Sequence, residues 1–145
     1  MIKIICIGKL KEKYLIDLIE DYQKRINKYH KLKIIELNDE NNITKEKNNI
    51  LKHLKNTDYI ISLDIKGIKL DSPSFAKKLD NLFINNANIV FIIGSSLGLD
   101  EVILQKSNLL ISFSDLTFPH GLFRGILLEQ IYRSFKILNN ETYHK

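Results

Sequence analysis

The chain has 145 residues, 44% hydrophobic and 27% charged, a composition that excludes a disordered polypeptide. At that length a domain can bury roughly 70% of the surface its unfolded chain exposes, so no disulfide or metal staple is needed. The single cysteine, Cys6, rules out an internal disulfide and a thiolate zinc site, and the formal charge of +5 tilts the surface toward anionic partners.

All of that excess charge sits in residues 1–56, which hold 13 Lys and Arg against 8 Asp and Glu; residues 57–145 hold 9 of each. A basic half beside a neutral half suggests a surface for nucleic acid or another polyanion, with chemistry elsewhere. An AT-rich genome would give the same bias, since 19 of the 22 basic residues are Lys. The opening Met1-Ile2-Lys3-Ile4-Ile5-Cys6-Ile7-Gly8 lacks the order of a signal peptide, and no run of about 18 apolar residues suggests a membrane span. The expected location is cytoplasmic.

Taken in chain order, Ile2–Ile7 reads as a buried strand closed by Gly8. Leu15, Ile16, Leu18, Ile19, Tyr22, Ile26 and Tyr29 recur at helical spacing, predicting an amphipathic helix over 11–30. Leu32–Leu37 is a second strand, Asn38–Asn42 a loop, and roughly 44–55 a weaker helix. Tyr59–Ile65 is a third strand, ending at Lys66-Gly67. Ser72-Pro73 opens a helix, with Ser72 as the cap, and that helix stops in Asn85-Asn86. Asn88–Ile93 is the most apolar strand, closed by Gly94. A short helix over 100–107 precedes a fifth strand, Leu109–Phe113, and after Pro119 comes a long helix. Continuous apolar strands separated by helices predict an α/β fold, a mostly parallel sheet with helices on both faces. Nothing marks a boundary, so residues 1–145 read as a single domain.

Ligands of such sheets bind outside the carboxyl ends of the strands. Three strand ends stand out here. Gly94-Ser95-Ser96-Leu97-Gly98 matches neither a P-loop nor a dinucleotide fingerprint. It reads as an ordinary tight turn, or as a place where backbone approaches a flat ligand. Ser112–Pro119 offers consecutive backbone donors and acceptors between the apolar walls Phe113 and Phe118, which suits a small-molecule site or a plain strand-to-helix connection. Asp64-Ile65-Lys66-Gly67 is the third. His120 has a packing or capping reading. Arg124, Glu129 and Arg133 are read as interface or solvated groups rather than a simple ion-pair ladder, and His30 and His53 as surface residues without a role. The terminal Tyr143-His144-Lys145 is a frayed tail by default, although its residue types suit stacking, proton exchange and phosphate contact. No constellation for metal binding or for a Ser-His-Asp mechanism is present, so no metal is expected.

Several segments together carry a resemblance. Asn88–Gly98, Leu109–His120, Leu127–Arg133 and Tyr143-His144-Lys145, with Ile4–Lys11 and Leu63–Gly67, are similar to the small ribosomal RNA methyltransferases of the SPOUT superfamily, and closely to the RlmH family. That family methylates N3 of a pseudouridine in 23S ribosomal RNA. The resemblance implies a SPOUT-type fold with a C-terminal trefoil knot, a homodimer, and S-adenosyl-L-methionine as methyl donor. It carries cofactor contacts over to Leu63, Gly94, Phe113, Ser114, Asp115, Leu116, Thr117 and Phe118. It makes Tyr143, His144 and Lys145 the catalytic candidates, with the tail of one chain completing the pocket of the other. Ser95 departs from the family, which most often has glycine there. Lys9, Lys11, Lys13, Lys24, Arg25 and Lys28 become candidate phosphate contacts for the RNA.

Overall fold

A computed structural model describes residues 1–145, with the elements β1 (Ile2–Ile7), α1 (Lys13–Ile26), β2 (Leu32–Leu37), α2 (Ile43–Leu51), β3 (Tyr59–Ile68), α3 (Ser72–Asn85), β4 (Ile89–Ile93), α4 (Glu101–Lys106), β5 (Leu109–Ile111) and α5 (His120–Leu138). The five strands form one sheet in the order β2-β1-β4-β3-β5, and every pairing is parallel. Alternate residues of the central strands face opposite layers, as the two-residue period of a strand requires. Ile4, Cys6, Ile89 and Phe91 pack under α1, α3 and α5. Ile5, Ile7, Val90 and Ile92 pack against Ile50 of α2 and Ile103 of α4. The expected α/β sheet covered on both faces is therefore the architecture found. No helix is long and apolar enough to cross a membrane.

Local chemistry moves several predicted boundaries. Helix α1 starts at Lys13 and ends at Ile26, shorter than the apolar stripe suggests. Asn27 stops it: its Nδ2 donates to the Gln23 carbonyl and its Oδ1 accepts from the Leu32 amide. Asp71, not Ser72, caps α3, its Oδ1 accepting from the Ser74 amide at 2.8 Å. Strand β5 is only three residues long, whereas β3 runs past Ile65 to Ile68 through a bulge. The bulge lets β3 cross close over β5: a Cβ on Gly67 would lie 2.6 Å from the Ile111 nitrogen, so only glycine fits.

Two of the polar groups read as surface residues are packed. Arg124 is 2% exposed; its Nη1 donates to Glu36 at 2.6 Å and its Nη2 to the Gly8 carbonyl at 3.1 Å. It therefore ties the start of α5 to the ends of β1 and β2. Cys6 is the buried structural thiol expected, its pKa pushed up to about 11, chiefly by burial.

His30 is the second. Its ring stacks on Phe83 at 4.6 Å and Phe135 at 6.1 Å, and its Nε2 has no partner. Burial, and then the N-terminal ammonium, hold its pKa below the usual 6.5. The folded chain thus takes up this proton less readily than the unfolded chain. The His30 contribution is fully present above the unfolded value and is lost as pH falls through the lowered folded one. His30→Phe is expected to flatten this part of the stability profile. Urea midpoints from about pH 7.5 down to about pH 5 measure it; an unaltered slope would assign the pH dependence to another group.

Candidate functional site

The three suggestive strand ends converge, because β4, β3 and β5 are neighbours in the sheet. Their carboxyl ends open on a cavity of about 420 Å³, within the size range of small-molecule sites. Leu63 and Ile65 come from β3, Ile93 and Gly94 from the end of β4, and Phe113, Ser114, Leu116, Thr117 and Phe118 from the loop after β5. His120 and Phe123 close it from α5. Seven of the eight residues expected around a cofactor thus line one cavity. Asp115 does not; it points outward and pairs with Lys69 at 2.6 Å.

Both loops are shaped from within. Gly98 has φ +77°, and Ser95 bridges back to it, closing the tight turn. A Cβ on Gly94 would fall 2.7 Å from the Gly98 carbonyl oxygen, so the turn closes only on glycine at 94. The Ser95 hydroxyl accepts from the Leu97 amide and donates to Glu46 at 2.7 Å. Glu46, 3% exposed, reaches the turn from α2. The two partners lie 49 positions apart, and no periodicity marks the contact. In the second loop the Ser112 hydroxyl donates to the Ser114 carbonyl, and the Ser114 hydroxyl accepts from the Leu116 amide. The amides of Phe113 and Phe118 and the carbonyl of Leu116 make no hydrogen bond within the chain. Unpaired backbone between apolar walls is what a flat, polar-edged ligand needs.

A second cavity, of about 490 Å³, shares the walls Ile111, Phe113 and Phe118 with the first. Asp71, Ser72, Gln130 and His144 supply its polar lining. The terminal residues reach it because α5 ends in a Schellman turn. Asn140 adopts φ +55°, the Glu141 amide donates to the Lys136 carbonyl, and the Asn140 amide donates to that of Ile137. The chain reverses and lies back along α5. Tyr143 packs edge-on against Tyr132, and its hydroxyl donates to Glu129 at 3.1 Å. Burial, and then its neighbours Tyr22 and Glu129, raise its pKa well above the ordinary tyrosine value, so it stays a phenol. Arg133 pairs with Glu129 and approaches His144 Nδ1 at 3.0 Å. The tail makes specific contacts as far as His144; Tyr143 is half-buried, and His144 and Lys145 are exposed.

Glu129 and Arg133 are thus not freely solvated; they pair one helical turn apart and hold the tail. Their spacing of four was the available signal. Gln130 and Asp71 carried none, because the second cavity forms only when α3 and α5 pack side by side. Of the six basic residues expected to face RNA, Lys13 is engaged with Asp17 and Arg25 with Asp21; the other four form no ion pair.

A profile described as SPOUT methyltransferase matches residues 1–144. A protein of Clostridium botulinum strain Alaska E43, named ribosomal RNA large subunit methyltransferase H, is 49% identical over 99% of both chains. Among solved structures, a Haemophilus influenzae protein described as a probable methylase family member matches with a TM-score of 0.59 and 14% identity, over 99% of this chain and 70% of its own. The SpoU methyltransferase AviRb from Streptomyces viridochromogenes, solved in complex with AdoMet, matches with a TM-score of 0.50 and 9% identity, over 92% of this chain and 57% of its own. At such identities the two structures share the fold.

Proposed function

This chain belongs to the SPOUT methyltransferase family, and from that premise we propose that it methylates N3 of a pseudouridine in 23S ribosomal RNA, with S-adenosylmethionine as donor. The observation that carries this reading is the pair of cavities sharing the walls Phe113 and Phe118, one lined by unpaired backbone and the other by the tail. Residues 1–145 act as one domain, in the cytoplasm where ribosomes are, and the trefoil threading of the C-terminal segment belongs to the same reading.

The first cavity fits the cofactor. Leu63, Leu99 and Phe113 offer apolar surface to an adenine ring, and the free Phe113, Leu116 and Phe118 backbone groups suit its polar edge. S-adenosylmethionine supplies an electrophilic methyl group on a sulfonium sulfur, which needs no metal to activate it. The residues of the chain then have to hold donor and acceptor in line and exclude water, and orientation of this kind lowers barriers by several kcal/mol. Phe118 separates donor from acceptor cavity. Tyr143, His144 and Lys145 meet the target nucleotide.

The homodimer in this reading is supported by the rim of the first cavity. Leu116 is 73% exposed, Ile65 55% and Leu97 45%, an apolar border that a second copy would cover. No tail residue of the same chain lines that cavity, and in this reading the partner's tail closes the site from the side of the target nucleotide, away from the cofactor. Lys9, Lys11, Lys24 and Lys28, free of ion pairs, would position the RNA by its phosphates in a salt-dependent way.

The test is transfer of labelled methyl from S-adenosylmethionine to large subunits or ribosomes lacking the modification, with the product mapped. Label at N3 of one 23S pseudouridine is expected. No transfer in any ribosomal state, or transfer to an ordinary uridine, would overturn the reading. A second expectation concerns the turn. Gly94→Ala forces its Cβ against Gly98 and should cost about 1–3 kcal/mol of local strain. Calorimetry with S-adenosylhomocysteine should show this as about a ten- to hundredfold rise in Kd. An unchanged Kd would remove the turn from the cofactor site.

A further inference from the structure

A histidine beside the target is the obvious proton acceptor for a nitrogen that must lose its proton before methylation. The geometry around it argues otherwise. Arg133 is held by two bonds from its Nε and Nη2 to Glu129 Oε1, at 2.9 and 2.5 Å, and its guanidinium lies over the Tyr143 ring, 4.8 Å from the centroid. Glu129 is itself fixed: its Oε2 accepts from Gln130, whose Oε1 accepts from Ser72. The remaining arm, Nη1, meets His144 Nδ1 at 3.0 Å. A guanidinium has donors only. Nδ1 must therefore present its lone pair, and the proton of the neutral ring resides on Nε2. The one nitrogen able to take a proton is covered by a cation, and the nitrogen left free already carries a hydrogen.

We propose that His144 acts in the methyl transfer as a hydrogen-bond donor through Nε2–H, not as the base, and that Arg133 is the positioning residue that fixes this tautomer. The chemistry of the acceptor suits a donor. N3 of pseudouridine lies between two carbonyls, and when its proton departs the negative charge spreads onto both oxygens. A donor aimed at one of them stabilises that charge as it forms. The N3 proton leaves to solvent water at the open mouth, and the electron pair left on nitrogen makes the new bond to the methyl carbon as the carbon–sulfur bond breaks, its pair returning to sulfur and S-adenosylhomocysteine leaving. Asp71, the other ionisable group lining the same cavity, caps α3 through the Ser74 amide and makes no hydrogen bond to His144.

The role of His144 rests on the methyltransferase reading; its tautomer does not, and this separates the two tests. Long-range proton–nitrogen correlation spectra of the free, full-length protein report which ring nitrogen carries the hydrogen. At neutral pH they should show His144 as the Nε2–H form, and Arg133→Met should release it to a mixture. An Nδ1–H form or an imidazolium in the unmodified protein overturns the proposal, whatever the substrate. The second measurement compares His144→Ala with His144→Gln, both checked for unchanged melting and cofactor affinity. Glutamine can place an amide N–H near the Nε2 position but is no base. Loss of a single well-placed donor costs on the order of 100- to 1000-fold in kcat. The alanine variant should show that loss, and the glutamine variant should recover to within about tenfold of the parent. Equal loss in both assigns His144 as the base and overturns the proposal.

Discussion

Glu36→Ala is expected to destabilise the fold by about 3–5 kcal/mol, a large part of the stability of a domain this size. Arg124 is 2% exposed, and Glu36 is its only carboxylate. Without it, a guanidinium stays buried with a single remaining bond, to the Gly8 carbonyl, and an Nε that has no partner even in the intact protein. The effect belongs toward the lower end of the range, because Glu36 is 37% exposed and water can enter the space it leaves. Removing the other partner should cost less: Arg124→Met leaves a carboxylate that can turn to solvent. Combining Arg124→Met with Glu36→Leu should recover most of the loss, since an apolar pair of similar volume often replaces a buried ion pair without penalty. Urea unfolding of the parent, Glu36→Leu, Arg124→Met and the double variant gives the coupling directly. A Glu36→Ala variant within about 1 kcal/mol of the parent would show that the pair does not anchor α5.

Deleting Tyr143–Lys145 is expected to reduce methyl transfer by on the order of 100-fold or more, while the Kd for the cofactor changes little. The separation follows from the two cavities. None of the three residues lines the first, and His144 lines the second. Removing them exposes part of Tyr132 and takes the phenol from Glu129, but Arg133 keeps its ion pair. Folding should therefore survive, and a melting curve checks that it does. Single-turnover transfer and calorimetry on the same preparation test both halves. Full turnover by the shortened chain would remove the tail from the chemistry, and a matching collapse in cofactor affinity would place its effect on binding instead.

The architecture was legible because it rests on local patterns. Runs such as Ile89–Ile93 are apolar on both faces, and only a covered parallel sheet accommodates them. Boundaries were less legible where one side chain decides them: Asn27 ends α1 and Asp71 caps α3, against a stripe that continues and a serine that could have served. The Phe113–Phe118 loop could be named by resemblance, yet Asp115 within it pairs with Lys69 instead of lining the cavity. Least visible were contacts across large sequence separations. Glu46 under Ser95, Glu36 against Arg124 and Ser72 on Gln130 pair residues 49, 88 and 58 positions apart, and no periodicity links them. The tail was misjudged as frayed on residue pattern alone because Asn140 looks ordinary; only its positive φ makes the reversal.

The brevity of β5 has a kinetic consequence. This strand is three residues long, lies at the edge of the sheet and pairs on one side only. The loop that forms a wall of the first cavity hangs from it directly. Its amides have few bonds to break before water reaches them, whereas β1 and β4 are paired on both sides and buried. Hydrogen exchange would accordingly divide the sheet into a slow centre and a fast margin. Local opening at that margin would let a nucleoside enter and leave without loosening the centre, so the rate of ligand exchange and the resistance to global unfolding are set by different strands.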